Sequence, residues 1–333
     1  MNFDSRLRRL TLRQIARTAL ALTPVPALLP AAAFSQAWPT RPITIVVPSL
    51  PGGGSDGGAR AMAAELSKRL NQSVLVENVA GASGGIGAAR VQRAAPDGYT
   101  LLAANSDLVL ATLVQKNPGY CLAGLTPIAN LGSSPLSLIA RVRFPAQNIE
   151  QLIAQARANP GKIGVGVSGA AALPALGVVM FEDAAKIELL RVPYKGAAQV
   201  MTDLSGGQIG LAVTAAVNVV GAVRSGQVRM LGVFSKEKFA IAPDFPLIGD
   251  TPATRNVALD IWLALFGPAG LPPAVLNQIN AAVQATLADP VYVAARARIG
   301  ESPAKPASAE EFARFIAAET ARYKAAATRL PSE

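Results

Sequence analysis

The residues best placed to do chemistry sit in two glycine-rich loops, the first reading Pro48-Ser49-Leu50-Pro51-Gly52-Gly53-Gly54-Ser55-Asp56. Glycines let backbone N–H groups approach a ligand closely, and a helix that starts just after them adds partial positive charge. The chemistry this suggests is capture of an anion, with Pro51, Gly52, Gly53, Gly54, Ser55 and Asp56 as candidates. Ser55 and Asp56 are also preferred helix starters, so capping is their plainer role. Gly52-x-Gly54-x-x-Gly57 spells a dinucleotide fingerprint as well, with Glu77 about 20 residues further on. Pro48 and Pro51 nevertheless separate the glycines from the preceding strand, where that fingerprint needs a tight turn. In the second loop, Gly81-Ala82-Ser83-Gly84-Gly85 has the spacing of a nucleophile elbow, which requires a histidine base. The chain contains no histidine, so Gly81, Ala82, Ser83 and Gly84 read instead as a second anion-binding loop or as a flexible turn.

The missing histidine removes Ser-His-Asp and Cys-His catalysis and the commonest zinc ligand. Cys121 is the only cysteine, so no internal disulfide or cysteine metal cluster forms; such a residue is expected to be a small buried apolar group. No metal and no cofactor are expected. Lys plus Arg is 31 against 21 Asp plus Glu, a formal +10. Part of that excess is Arg6, Arg8, Arg9, Arg13 and Arg17, and the rest is spread without a basic stripe interleaved with aromatics. Nucleic acid is not an expected partner.

These loops need elements to hold them at one place. Short β-branched runs over 43–47, 74–77 and 101–104 alternate with helical patterns, as in parallel α/β units. Asn105 and Ser106 follow the third run and join the candidate set. The rhythm restarts with a helix over 149–158 and strands over 163–167, 189–192, 209–213 and 228–234. Ser168-Gly169-Ala170, Tyr194 and Thr214 sit at the ends of those strands and complete the set. Tyr194 and Lys195 offer a stacking face and a positive charge, although packing of the tyrosine on the sheet is equally good. An apolar stretch over 261–266 precedes a helical end, where Ser308 and Glu311 form a capping box. The arrangement predicts two hinged α/β lobes, the second inserted in the first, with 38–135 and 236–333 forming lobe 1 and 136–235 lobe 2. Loops at strand C-terminal ends would meet in a cleft between them. Residues 1–37 read as a signal peptide: arginines, an Ala/Leu-rich run broken by Pro24, Pro26 and Pro30, then Ser35-Gln36-Ala37 before a mature start at Trp38. Arg8-Arg9-Leu10-Thr11-Leu12 also looks like a twin-arginine signal.

A set of motifs occurs in order along the mature chain. Pro51-Gly52-Gly53-Gly54-Ser55-Asp56 is followed by Val76-Glu77-Asn78 and by Ala95-Pro96-Asp97-Gly98-Tyr99-Thr100-Leu101. Val192-Pro193-Tyr194-Lys195-Gly196, Gly206-Gly207-Gln208 and Phe266-Gly267-Pro268-Ala269-Gly270 come after. Together they resemble the Bug family, the extracytoplasmic receptors of tripartite tricarboxylate transporters. The resemblance implies a type 2 periplasmic-binding-protein fold and a periplasmic, monomeric receptor. It also implies a small organic carboxylate held between the two glycine loops and the second lobe, and membrane transporter components as partners. The resemblance further implies that no chemistry is done on the ligand. An exported nucleotide-dependent oxidoreductase, resting on Gly52, Gly54, Gly57 and Glu77, is the alternative of another class; a ligand-presenting sensor subunit is a third.

Two departures bear on the ligand. Ala170-Ala171-Ala172-Leu173-Pro174 stands where the resemblance implies polar residues, and Thr214 stands where it implies an aspartate. An ammonium group buried without an acidic partner is costly. The expectation is therefore a carboxylate with an apolar or aromatic body, in preference to aspartate, glutamate or citrate. Asp56 is the one acid among the candidates that could receive an ammonium group. Gly53→Val is expected to block the anion at the first loop.

Overall fold

Ile43, Ile45, Val46 and Val47 are almost wholly buried, because the strand they form is covered on both faces. The structure is a computed structural model that describes residues 38–332, and the signal peptide read in residues 1–37 lies outside the described residues. The first run of elements is β1 (Ile43–Val47), α1 (Gly54–Leu70), β2 (Val74–Asn78), α2 (Gly85–Gln92), β3 (Thr100–Asn105), α3 (Asp107–Val114) and β4 (Leu125–Arg141). The second is α4 (Ile149–Ala158), β5 (Gly164–Ser168), α5 (Leu173–Ala185), β6 (Leu190–Tyr194), α6 (Ala197–Gly206), β7 (Leu211–Ala215), α7 (Val220–Arg224) and β8 (Val228–Val233). The chain then returns through β9 (Asp260–Pro268), α8 (Pro273–Leu287), α9 (Pro290–Arg298), β10 (Ser302–Pro303) and α10 (Ala309–Ala327).

The strand order is β2-β1-β3-β9-β4-β7-β5-β6, with β8 and β10 also pairing with β4. β1 runs parallel to β2 and β3, and β5 runs parallel to β6 and β7, giving two parallel βα halves. β4 joins them. Its first part pairs antiparallel with β9 and its last part with β7 and β8. The strand runs unbroken across the boundary expected at 135/136.

β4 is the element that periodicity does not announce. Pro127, Gly132 and Pro135 lie inside it, and residues of these types ordinarily argue against a strand interior. Register shifts between Pro127 and Ala129 and between Asn130 and Gly132 absorb the first two. At Gly132 the backbone has φ +150°, and a Cβ there would meet the carbonyl of Ser302 at 2.8 Å.

α10 begins with the expected capping box: Glu311 N–H donates to Ser308 Oγ (3.1 Å) and Ser308 N–H donates to the Glu311 carboxylate (2.7 Å). Its Phe312 meets the buried Trp262 of β9 edge-on at 6.4 Å. Past its end, Arg329 reaches α5, where it and Arg191 pair with the buried Glu182 at 3.0 and 2.8 Å. The carboxyl-terminal segment therefore packs on both halves of the sheet. Cys121 is exposed, against the expectation of a buried thiol, because it stands in the connection between α3 and β4.

Candidate binding cleft

The C-terminal ends of β1, β3 and β5 converge, and the residues that follow them line a cavity of about 270 Å³. Pro48 and Ser49 leave β1, Ser55 lies in the first turn of α1, and Ser83 and Gly84 come from the second glycine loop. Asn105, Asp107 and Leu108 come from the junction of β3 and α3, and Gly169, Ala171 and Ala172 from the loop between β5 and α5. A second cavity of about 230 Å³ shares Ser55 and Asn105 and is walled by Leu131, Ile261, Leu263, Val217 and Tyr292, among others. Alternation along β9 produces that wall, since Ile261 and Leu263 face the cavity while Trp262 turns into the core.

The second loop holds an unusual backbone. Ala82 and Ser83 both have positive φ (47° and 52°), a region that costs non-glycine residues energy and that collects at ligand sites. Gly84 follows at φ +93°, with Pro48 so near that a Cβ would touch its ring at 3.4 Å. The hydroxyls of Ser49 and Ser134, each on the wall of one cavity, are buried with no partner among the described residues. Buried polar groups are nearly always hydrogen-bonded, so these two point to a polar guest.

Asp56 is turned away from the cavity. One of its oxygens accepts from Gly52 N–H (2.9 Å) and Arg60 Nε (3.1 Å), and the other accepts from Asn78 Nδ2 (3.0 Å). Arg60 first, then the Gly52 amide and Asn78, lower its pKa to about 2. Asn78 also donates to the Ser49 carbonyl (3.2 Å), so the pair fastens the first loop from behind.

Asp107 occupies the opposite position. It is the first residue of α3 and lines the cavity; one oxygen accepts from Leu173 N–H at the start of α5 (3.1 Å), the other from Asn105 Nδ2 (3.1 Å). Burial pushes its pKa above the ordinary carboxylate range, opposed by those two hydrogen bonds. Below it, Tyr120 Oη donates to the Leu108 carbonyl at 2.6 Å.

Of the candidates read from sequence, Ser55, Ser83, Gly84, Asn105 and Gly169 meet at the first cavity, and Gly54 lines the second. Pro51, Gly52, Gly53, Gly81, Ala82, Ser106, Ser168 and Ala170 are not on either wall. Gly53 is exposed with an ordinary φ of −78°, so no close approach requires a glycine there. Ser106 is fully buried, its N–H on the Trp262 carbonyl at 3.0 Å. Tyr194 donates its hydroxyl to Asp203 at 2.9 Å, which keeps the ring against α6. Thr214 is buried in β7 opposite Ser137 and does not face the cleft. Sequence reading missed Ser49, Asp107, Gln115 and the whole β4 and β9 wall. Asp107 could have been found, since it directly follows Asn105 and Ser106; the wall follows only from strand register. Glu77, the acid of the dinucleotide fingerprint, is held by both terminal nitrogens of Arg90 at 2.6 and 2.7 Å.

Residues 58–330 match the tripartite tricarboxylate transporter family receptor. Protein BugT of Bordetella pertussis is 31% identical over 87% of this chain and 89% of its own. Among solved structures, Rhodopseudomonas palustris Rpa4515 with adipate superposes with a TM-score of 0.77 at 29% identity, covering 88% of this chain and 99% of that one. MatC of the same organism, with bound malate, gives 0.74 at 27% identity over 87% and 99%. The periplasmic binding protein BugD gives 0.73 at 32% identity over 86% and 97%. The chain belongs to the tripartite tricarboxylate transporter receptor family, with that family's two-lobed periplasmic-binding fold and periplasmic location.

Proposed function

We propose that the protein captures a small organic carboxylate in the cleft and delivers it to the membrane components of a tripartite transporter, without chemical change to the ligand. Adipate and malate in the two R. palustris relatives support the ligand class. The observation that carries it here is a cavity whose wall has the hydroxyls of Ser49, Ser55 and Ser83 and the side-chain amides of Asn105 and Gln115, with Asp107 as its one acid and no lysine or arginine. Such a wall holds an anion through directed donors. Hydrogen bonds to a charged group contribute about 1.5–3 kcal/mol each. Three or four approach the roughly 8 kcal/mol of micromolar binding before ordering costs are subtracted. In this reading lobe 1 comprises 38–135 and 236–333 and lobe 2 comprises 136–235, and a monomer closes on its ligand with no part for nucleic acid. Thermal unfolding in the presence of a panel of carboxylates tests it. A ligand at 100 times its Kd adds about 2.7 kcal/mol, and a panel that leaves the protein's stability unmoved overturns the reading.

A further inference from the structure

We propose that Asp107 selects the ligand: within the carboxylate reading, the receptor takes a carboxylate that also bears an ammonium group, and Asp107 receives that group. The expectation against amino acids rested on the lack of an acid facing the pocket. Asp56 is indeed occupied elsewhere, by Arg60, Asn78 and the Gly52 amide. Asp107 supplies the missing acid on the cavity wall itself.

The two hydrogen bonds that Asp107 accepts do not account for its charge. Its bond from Leu173 N–H caps the start of α5, where the residue in the capping position, Ala172, has no side chain to do so. A neutral asparagine caps a helix about equally well. The carboxylate has about four acceptor positions, and the Leu173 amide and Asn105 use two. Among the described residues no lysine or arginine lies within ion-pair distance of it, and none lines the cavity. A carboxylate so placed is a part-buried acid with no cationic partner, and ionising it is costly until a cation arrives. Its raised pKa has the same origin in burial. The ligand's own carboxylate then belongs away from Asp107, toward the hydroxyls of Ser49 and Ser55. A second carboxylate on the ligand would instead meet a like charge.

Calorimetric titration of the full mature protein with matched pairs decides the matter: alanine and propionate, 4-aminobutyrate and butyrate, glutamate and glutarate, phenylalanine and 3-phenylpropionate. The amino member of the binding pair should be tighter by about tenfold or more, equivalent to about 1.4 kcal/mol. Asp107→Asn should reduce that ratio to within about twofold, and Asp107→Glu should retain a preference in the same direction. Asp107→Ser, which keeps a capping oxygen, replaces the asparagine variant if circular dichroism shows that one unfolded. Equal or tighter binding of the deaminated acid, or a ratio that survives Asp107→Asn, overturns the proposal and leaves carboxylate capture standing. Butylamine binding as tightly as 4-aminobutyrate overturns carboxylate capture instead. Binding by no member of any pair overturns both.

Discussion

Replacing Asp56 by asparagine removes one negative charge from the knot that fastens the first glycine loop. The folded carboxyl has a pKa of about 2 against an ordinary 3.8, a gap equivalent to about 2.4 kcal/mol at neutral pH. That figure is an upper value, because the partner guanidinium of Arg60 is 51% exposed and water screens the pair. A loss of about 1–2 kcal/mol is therefore expected for Asp56→Asn at pH 7. Since the pKa is depressed on folding, the stabilisation is fully present above the unfolded value near 4 and disappears as pH falls through about 2. About half of it should survive at pH 3. Urea unfolding of both proteins at pH 7, 5 and 3 measures this directly. The gap should be equal at pH 7 and 5 and halve at pH 3. A gap that is absent at pH 7, or that widens on acidification, refutes the assignment of Asp56 as the ionised anchor of the loop.

Three further outcomes are expected. Gly53→Val should keep ligand affinity within about twofold in the same calorimetry, since its Cβ would meet only the Leu50 carbonyl, at 3.9 Å; loss of binding would return Gly53 to the ligand. Gly85→Ala should cost about 1–3 kcal/mol in urea unfolding, because a Cβ there would stand 2.3 Å from the Pro118 carbonyl, a backbone atom that cannot swing aside; wild-type stability would contradict this packing. Cys121 should react with one equivalent of a thiol reagent in the folded protein, and protection until urea unfolds the chain would contradict its exposure.

The alternation of buried strands and helices could be read directly, because a strand covered on both faces, such as Ile43–Val47, leaves a continuous apolar run. β4 could not, since its proline and glycine residues fit a strand only through bulges that the partner strand β9 imposes. The site divides in the same way. Ser55, Ser83, Gly84, Asn105 and Gly169 were legible because small and hydroxyl residues at strand ends mark places where backbone is exposed to a guest. Leu131, Ile261 and Leu263 reach the cleft by the register of β4 on β9, which links residues more than a hundred positions apart. Asp56 and Asp107 show the limit most sharply. Both are acids in the first turn of a helix that follows a strand. Arg60 and Asn78 draw the first away from the cleft, while the start of α5 draws the second into it, and nothing local to either residue announces the difference.

The place of β9 has a consequence for how the chain acquires its shape in time. β9 lies between β3 and β4 in the sheet, yet it is made from residues 260–268. A chain growing from its amino end completes β3 and the facing edge of β4 long before the strand that joins them exists. At ordinary rates of synthesis the interval from Arg141 to Asp260 is on the order of ten seconds. Throughout it, two strand edges stand open, the kind of surface that pairs with other chains unless it is shielded. A chain cut short before Asp260 lacks the strand that joins the two edges. The intact protein closes its sheet only after most of its length has been made.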